Sequence, residues 1–298
     1  MSDVDSSNPL LAQHLFTTPS FKAVVTGGGT GIGLMITQAL AANGATVYIT
    51  GRRSSVLETT ASTYEGKIIP MTADHRSQDS IQALVKEISQ KEPNGIHLLV
   101  NNAGVAEEQS TTAFSTDKDL DFTNAEAVSE HLKKSRPEDW QKTMETNVAA
   151  VYFTAVNFIP LLAKGTANTR GYSSSIVNIC SISGVMKTSS SGQFAYAASK
   201  AAALQLTRNL ATTLKECKIR VNAIAPGVFP SEMTAGGSDE RNKSELKGMG
   251  DSLPAGRTGR DEDMAAAILY LVGRGGLLLN GQVLYPDGGN LLTQPSVA

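Results

Sequence analysis

Thr26-Gly27-Gly28-Gly29-Thr30-Gly31-Ile32-Gly33 follows directly on a β-rich run at 22–26 and opens a helical pattern at 32–42. Glycines in such a turn let the backbone approach a pyrophosphate, and the helix start behind them offers unpaired N–H groups and partial positive charge. A tight turn with no ligand would use the same residues, so the surrounding chain has to decide. Further short apolar runs at 46–50, 67–71, 97–101, 175–180, 220–224 and 282–285 alternate with helical segments at 77–91, 137–164, 194–217 and 261–272. Strands buried on both faces read as continuous apolar runs, as Ala23-Val24-Val25, Leu98-Leu99-Val100 and Val221-Asn222-Ala223-Ile224 largely do. The alternation predicts an α/β fold in which a seven-stranded, doubly wound parallel sheet carries helices on both faces.

A domain over 21–298 follows an N-terminal tail at 1–20 that is polar, holds Pro9 and Pro19, and lacks the basic start and apolar stretch of a secretory signal. Ser296-Val297-Ala298 is not a peroxisomal ending and no lipidation motif is visible, so a cytoplasmic location is expected. Two stretches break the regular spacing. Residues 107–136 are polar and long for a strand-to-helix loop, with one short helix expected at 124–134, and read as an insertion. Residues 227–259 have the Gly, Ser, Pro and charge content of a substrate lid.

Of the 298 residues, 41% are hydrophobic, with no run of about eighteen apolar residues that would cross a bilayer. The 26 basic and 28 acidic side chains are interspersed and sum to a net charge of -2, which leaves no broad basic face. Neither membrane nor nucleic acid is expected as a partner. Cys180 and Cys217 sit in apolar contexts without metal-ligand spacing and read as buried free thiols. His14, His97 and His131 have no partners at metal spacing and read as structural or surface residues.

Two further motifs bear on chemistry. Asn101-Asn102-Ala103-Gly104 ends the fourth strand, at the edge where open α/β sheets bind ligands, although alone it could be only a turn. Tyr196-Ala197-Ala198-Ser199-Lys200 lies in an Ala-rich helical segment, so the phenol and the ammonium, four residues apart, share one face. A unit positive charge about 4 Å from a phenol, in an effective dielectric of about 20, is worth roughly 4 kcal/mol to the ionised form, which suits general acid-base catalysis. In isolation the pair could equally be a solvated Tyr and Lys on an exposed helix.

Taken in order, these motifs resemble the short-chain dehydrogenase/reductase family: Thr-Gly-x-x-x-Gly-x-Gly, Asn-Asn-Ala-Gly, a helical Asn, a strand-end Ser and Tyr-x-x-x-Lys. The resemblance runs from Phe21 to about Asn290 and includes Asn222-Ala223-Ile224-Ala225-Pro226-Gly227 and Asp287-Gly288-Gly289; the wording from Pro226 to Thr234 is most similar to fungal members with carbonyl or 3-oxoacyl reductase activity. It implies a single-domain Rossmann fold and a homodimer or homotetramer assembled through the Asn147 and Tyr196 helices. Tyr196 would protonate the developing alkoxide and Lys200 would hold the nicotinamide ribose. Ser181, in Cys180-Ser181-Ile182-Ser183-Gly184, would hydrogen-bond the substrate carbonyl, and Asn147 would hold a water linking Lys200 to solvent. Hydride comes from the cofactor, so no metal is needed. The stretch between Gly184 and Tyr196 is about two residues longer than in many relatives, which leaves Ser183 as a rival; Ser181 is favoured because it stands three before the glycine of the family's Ser-x-x-Gly pattern.

Relatives that bind NAD place an acid at the end of the second strand, where it accepts from the ribose 2′-hydroxyl and repels a 2′-phosphate. Here that stretch reads Tyr48-Ile49-Thr50-Gly51-Arg52-Arg53, with no acid and two guanidinium groups able to pair with a phosphate. NADP(H) is therefore expected rather than NAD, with Arg52 as the ligand and Arg53 as the alternative, unless both are simply solvated. The dinucleotide would lie on Gly27, Gly29, Thr30, Gly31, Ile32 and Gly33, pass Asn102, Ala103 and Gly104, and end beside Tyr196 and Lys200. Asp74 matches the family residue that contacts the adenine amino group; the following His75 replaces a usually apolar residue. Pro226, Gly227, Val228 and Ser231 would line the nicotinamide amide.

The reaction implied is reduction of a small ketone or aldehyde to an alcohol with NADPH. The same residues would serve an NAD(P)-dependent alcohol or polyol dehydrogenase running oxidatively, and a catalytically silent, cofactor-sensing protein could keep the fold. Specificity in the family comes from segments corresponding to 104–110, 185–194 and 229–253, whose sequence says little about pocket shape. Met233, Leu246 and Met249 hint at an apolar substrate, though such residues more often serve packing.

Overall fold

In the computed structural model, which describes residues 8–246 and 248–297, the seven strands are β1 (Lys22–Thr26), β2 (Thr46–Gly51), β3 (Lys67–Thr72), β4 (Leu98–Asn101), β5 (Ser175–Ile179), β6 (Arg220–Ile224) and β7 (Val283–Leu284). The first part of the expected tail, Lys247 within the expected lid, and Ala298 lie outside the described residues. All neighbouring strands pair in parallel in the order β3-β2-β1-β4-β5-β6-β7, the predicted doubly wound Rossmann sheet. Order reverses between β1 and β4, which opens a crevice at their carboxyl ends. Pro70, which cannot donate to a ladder, is tolerated because β3 is an edge strand. The other edge, β7, is shorter than the run at 282–285 suggested, being flanked by Gly281 and Pro286.

The helices are α1 (Ala12–Leu15), α2 (Gly31–Ala42), α3 (Ser54–Thr63), α4 (Gln78–Lys91), α5 (Ala125–Leu132), α6 (Pro137–Met144), α7 (Ala150–Asn168), α8 (Phe194–Leu214), α9 (Glu232–Ala235), α10 (Asp261–Val272) and α11 (Asn290–Thr293). Successive strand residues alternate between two cores. Ala23, Val25, Val47, Ile49, Leu98 and Val100 pack with Ile36 and Leu40 of α2 and Ile268 and Leu271 of α10. Val24, Tyr48 and Leu99 pack on the opposite face with Ile88 of α4, Phe158 and Leu162 of α7, and Leu210 and Leu214 of α8. Each such large apolar side chain, taken fully out of water, contributes roughly 1.5–3 kcal/mol.

Four features depart from the sequence reading. The helix α3 was not anticipated, because Ser54-Ser55-Val56-Leu57-Glu58-Thr59-Thr60 is poor in strong helix formers. It is held by burial of Leu57 and Thr60, whose hydroxyl donates to Gly29 O at 3.0 Å. The single helix expected at 137–164 is interrupted by a π-helical turn, Glu145–Ala149, and runs on through α7. Its continuous span Pro137–Asn168 includes an 18-residue window of mean hydropathy 1.5, apolar enough by composition to cross a membrane. Within it Ala155, Phe158, Leu161 and Leu162 are buried in the core. Cys180 is buried as expected, but Cys217 is exposed, because it lies past Leu214 in the turn that leaves α8.

Residues 107–136 form two 3-10 turns, Glu107–Ser110 and Phe114–Thr116, then α5, capped by Asn124, whose side-chain oxygen accepts from Glu126 N and Ala127 N. Residues 8–20 lie along the end of α10, with the Phe16 and Tyr270 ring centroids 6.4 Å apart and the Thr18 hydroxyl donating to Leu40 O and Asn43 O.

Candidate active site

A cavity of about 520 Å³ occupies the crevice at the carboxyl ends of the strands, bounded by the glycine-rich turn, the tips of β2 and β3, the Asn-Asn-Ala-Gly cluster, α8 and the start of α9. Gly27 and Gly31 adopt φ +64° and +51°, a region costly for other residues. A Cβ on Gly33 would sit 2.1 Å from Gly27 O, so only glycine lets α2 approach the turn this closely. Thr30 begins α2 without a side-chain hydrogen bond to its first turn, which leaves those N–H groups directed at the cavity for an anion. The two glycine-bearing clusters brace each other. Thr26 Oγ1 accepts from Asn102 N and Ala103 N at 2.9 and 3.0 Å, and Asn102 Nδ2 donates to Thr26 O and Gly27 O at 2.9 and 3.1 Å.

Three guanidinium groups stand at one end, Arg52, Arg53 and Arg76. Arg53 is engaged by Glu232 of α9, which accepts from both of its terminal nitrogens at 3.1 and 2.7 Å. Arg76 donates to both oxygens of Asp74, and this bond holds the Asp74 carboxyl down to about 2. Arg52 makes no hydrogen bond or ion pair with the described residues and faces the cavity. His75 lies on the same wall, but its imidazole is fixed between Thr50 Oγ1 at 2.6 Å and Thr154 Oγ1 at 3.1 Å; burial lowers its pKa to about 4, so the ring is neutral at pH 7. Arg76 and Glu232 were not singled out from the sequence. Arg76 could have been found as a third basic group at a strand tip, whereas nothing local connects Glu232 to a partner 179 positions away.

Tyr196 and Lys200 lie at the opposite end, on successive turns of α8. Lys200 is buried; its Nζ donates to Ile179 O at 3.0 Å and lies 5.6 Å from the centroid of the Tyr196 ring. A Cβ on Gly104 would approach Lys200 Nζ to 3.4 Å and Asn147 Oδ1 to 3.2 Å. Asn147 sits in the π-helical turn, where the wider spacing loosens the helix's own ladder. Its Oδ1 accepts from Val105 N at 2.9 Å, and its Nδ2 donates to Val105 O at 2.9 Å and Ser199 Oγ at 3.0 Å.

Ser181 ends β5. Its hydroxyl accepts from Ser183 N and donates to Ser183 Oγ, both at 3.1 Å, and Ser183 Oγ meets Ser190 Oγ at 2.8 Å. Both serines are buried in this hydroxyl chain, so the structure does not separate the rivals. Gly27, Gly29, Thr30, Gly31, Ile32, Gly33, Asn102, Ala103, Gly104 and Ser231 line the cavity, as do both ends just described; Asn147, Ser181, Pro226, Gly227 and Val228 lie off its wall. Pro226 O accepts from Ile182 N at 3.1 Å, Gly227 N donates to Pro286 O at 3.1 Å, and Val228 borders a separate cavity of about 100 Å³. One buried carboxylate beside α8, Glu108, had no signal in the sequence, because residues 107–136 read only as a polar insertion.

The donor set fits a nicotinamide dinucleotide: open N–H groups at a helix start for the pyrophosphate, a guanidinium without a hydrogen bond to the described residues at one end, and a phenol with a buried ammonium at the other. Comparison with known proteins agrees. Residues 22–242 match the sequence pattern of the short chain dehydrogenase family. The short-chain dehydrogenase/reductase PhomF of Diaporthe leptostromiformis is 40% identical over 291 residues, covering 96% of this chain and 97% of that one. The solved Pseudomonas aeruginosa RhlG/NADP active-site complex is 32% identical, with a TM-score of 0.76 over 93% of this chain and 98% of that chain. The 3-ketoacyl-(acyl-carrier-protein) reductase from Brucella melitensis complexed with NADH is 26% identical, with a TM-score of 0.72 over 91% and 98%.

Proposed function

The chain belongs to the short-chain dehydrogenase family, and on that premise we propose that it reduces a small ketone or aldehyde to an alcohol with NADPH. The observation that carries this reading is one continuous cavity with the glycine-rich turn and Arg52 at one end and the Tyr196/Lys200 pair at the other.

When bound, the nicotinamide supplies hydride to the carbonyl carbon. Tyr196 gives its hydroxyl proton to the oxygen that gains charge as the carbon accepts hydride, so the carbonyl becomes an alcohol and the phenol is left anionic. Lys200, fixed by Ile179 O, stabilises that negative charge from within a buried site. From just behind the cavity wall, Ser181, favoured over Ser183 by the Ser-x-x-Gly pattern, orients the carbonyl, and Asn147 holds the water through which the proton is replaced. The first-turn N–H groups of α2 take the pyrophosphate.

Arg52 pairs with the 2′-phosphate, while Arg53 and Arg76 beside it are already offset by Glu232 and Asp74. One solved neighbour carries NADP and another NADH, so the choice of NADP rests on this chain's own Arg52 and on the lack of an acid at the end of β2. Exposed Tyr152 on α7 and Phe194 on α8 support a homodimer or homotetramer through these helices.

The test is consumption of NADPH or NADH by the purified protein over a panel of ketones and aldehydes, with the reverse reaction run on the matching alcohols. Turnover with NADPH that disappears in Tyr196→Phe is expected. Tight NADPH binding with no turnover on any carbonyl or alcohol would overturn the reading in favour of a cofactor sensor.

A further inference from the structure

Residues 107–136 and the loop that precedes Tyr196 meet each other. Phe114 N donates to Ser191 O and Thr112 Oγ1 donates to Gly192 O, both at 2.8 Å. Between them Ser190, Ser191 and Gly192 are all left-handed, at φ 51°, 57° and 90°. A Cβ on Gly192 would lie 2.1 Å from Thr112 O. From the same segment Glu108, 1% exposed, places its carboxylate against the start of α8. It accepts from Tyr196 N at 3.2 Å and from Thr112 Oγ1 at 3.5 Å, and the backbone N–H groups of Ala195 and Phe194 favour its charged form.

A helix start is ordinarily capped by the residue next to it. Gln193, which stands there, makes no side-chain cap, and the acceptor comes instead from 88 residues earlier in the chain. A carboxylate kept out of water needs its oxygens satisfied, and its shortest hydrogen bond comes from the backbone of Tyr196 itself. Had Glu108 served only to fold its own loop, partners within that loop would have sufficed.

We propose that Glu108 is a positioning residue: it fixes the first turn of α8 and thereby sets where the Tyr196 hydroxyl stands in the cavity. This rests on Tyr196 being the proton donor. Glu108 does not line the cavity, so its effect falls on the chemical step and not on the cofactor.

The experiment measures kcat, carbonyl KM and NADPH affinity by fluorescence titration for Glu108→Ala and Glu108→Gln, then for Glu108→Ala combined with Gln193→Asp. Displacing a reacting group by about 1 Å costs on the order of 100-fold, so kcat is expected to fall about 10- to 100-fold while NADPH affinity stays within about twofold. A carboxylate at position 193 can accept from Ala195 N and Tyr196 N, and the double variant is expected to recover about tenfold in kcat. Unchanged kcat in either single variant overturns the proposal, as does loss of kcat and NADPH affinity together without recovery in the double variant. Should Glu108→Ala fail to fold, the near-isosteric Glu108→Gln decides alone by the same split. Activity lost in Tyr196→Phe but intact in Glu108→Gln would remove this inference and leave the proposed reaction standing.

Discussion

Arg53 and Glu232, 179 positions apart in the chain, are joined by two hydrogen bonds of 3.1 and 2.7 Å that tie the tip of β2 to α9 on the wall of the cavity. The pair is substantially exposed, so solvent limits it to about 1 kcal/mol or less. A phosphate arriving beside Arg53 competes with Glu232 for the same guanidinium. In Glu232→Gln, NADPH is expected to bind about two- to fivefold tighter, more so at low salt, with NADH affinity unchanged. Fluorescence titration with both cofactors checks this, and equal tightening of both would show that Arg53 does not sense the phosphate.

Arg52 is the guanidinium left open to the cavity. A charge-assisted hydrogen bond to a phosphate is worth about 1.5–3 kcal/mol, so Arg52→Ala is expected to weaken NADPH binding about 10- to 100-fold while NADH binding changes little. The ratio of kcat/KM for the two cofactors is the measurement. A ratio unmoved by the substitution would shift the phosphate site to Arg53 or Arg76.

Replacing Tyr196 by Phe removes one hydroxyl from a half-buried ring and leaves α8 intact. Loss of a general acid costs about 10²–10⁴ in rate, and kcat is expected to fall by that amount with unchanged NADPH affinity and unchanged Tm. Residual turnover near the wild-type value is the outcome the mechanism does not survive.

Burial holds the His75 imidazole near 4, below its ordinary 6.5. Unfolding therefore takes up a proton between those values, so the neutral ring contributes stability that is complete above about pH 6.5 and lost as pH falls toward 4. His97 is shifted the same way, chiefly by burial and then by Lys22. Between pH 7 and pH 5, His75 alone should cost about 2 kcal/mol of stability. Tm measured across this range should fall in the wild type and fall less steeply in His75→Gln; parallel curves would mean that the ring is not the group responsible.

The sheet and much of the site were legible because their signals are local. Val24 and Leu99 lie in continuous apolar runs, as strands covered on both faces must. Gly27, Asn102, Tyr196 and Lys200 stand in short motifs whose chemistry depends on neighbours one to seven residues away. What was hidden depends on distance or on context. The helix α3 folds because Leu57 and Thr60 find partners in the core and the glycine turn, against the weak propensity of its serines and threonines. Glu108 and Glu232 look like ordinary surface acids until the fold delivers Tyr196 N and Arg53 to them.

The contact between residues 107–136 and the left-handed run Ser190, Ser191 and Gly192 bears on how this chain can be engineered. Left-handed serines are costly, and they are held here by Thr112 and Phe114 from the other segment. Neither piece is a portable module. A chimera that grafts the loop before Tyr196 alone into another chain would transplant the strain without its counterweight, and one that excises residues 107–136 would strand the loop; only exchanging both together keeps the two halves matched.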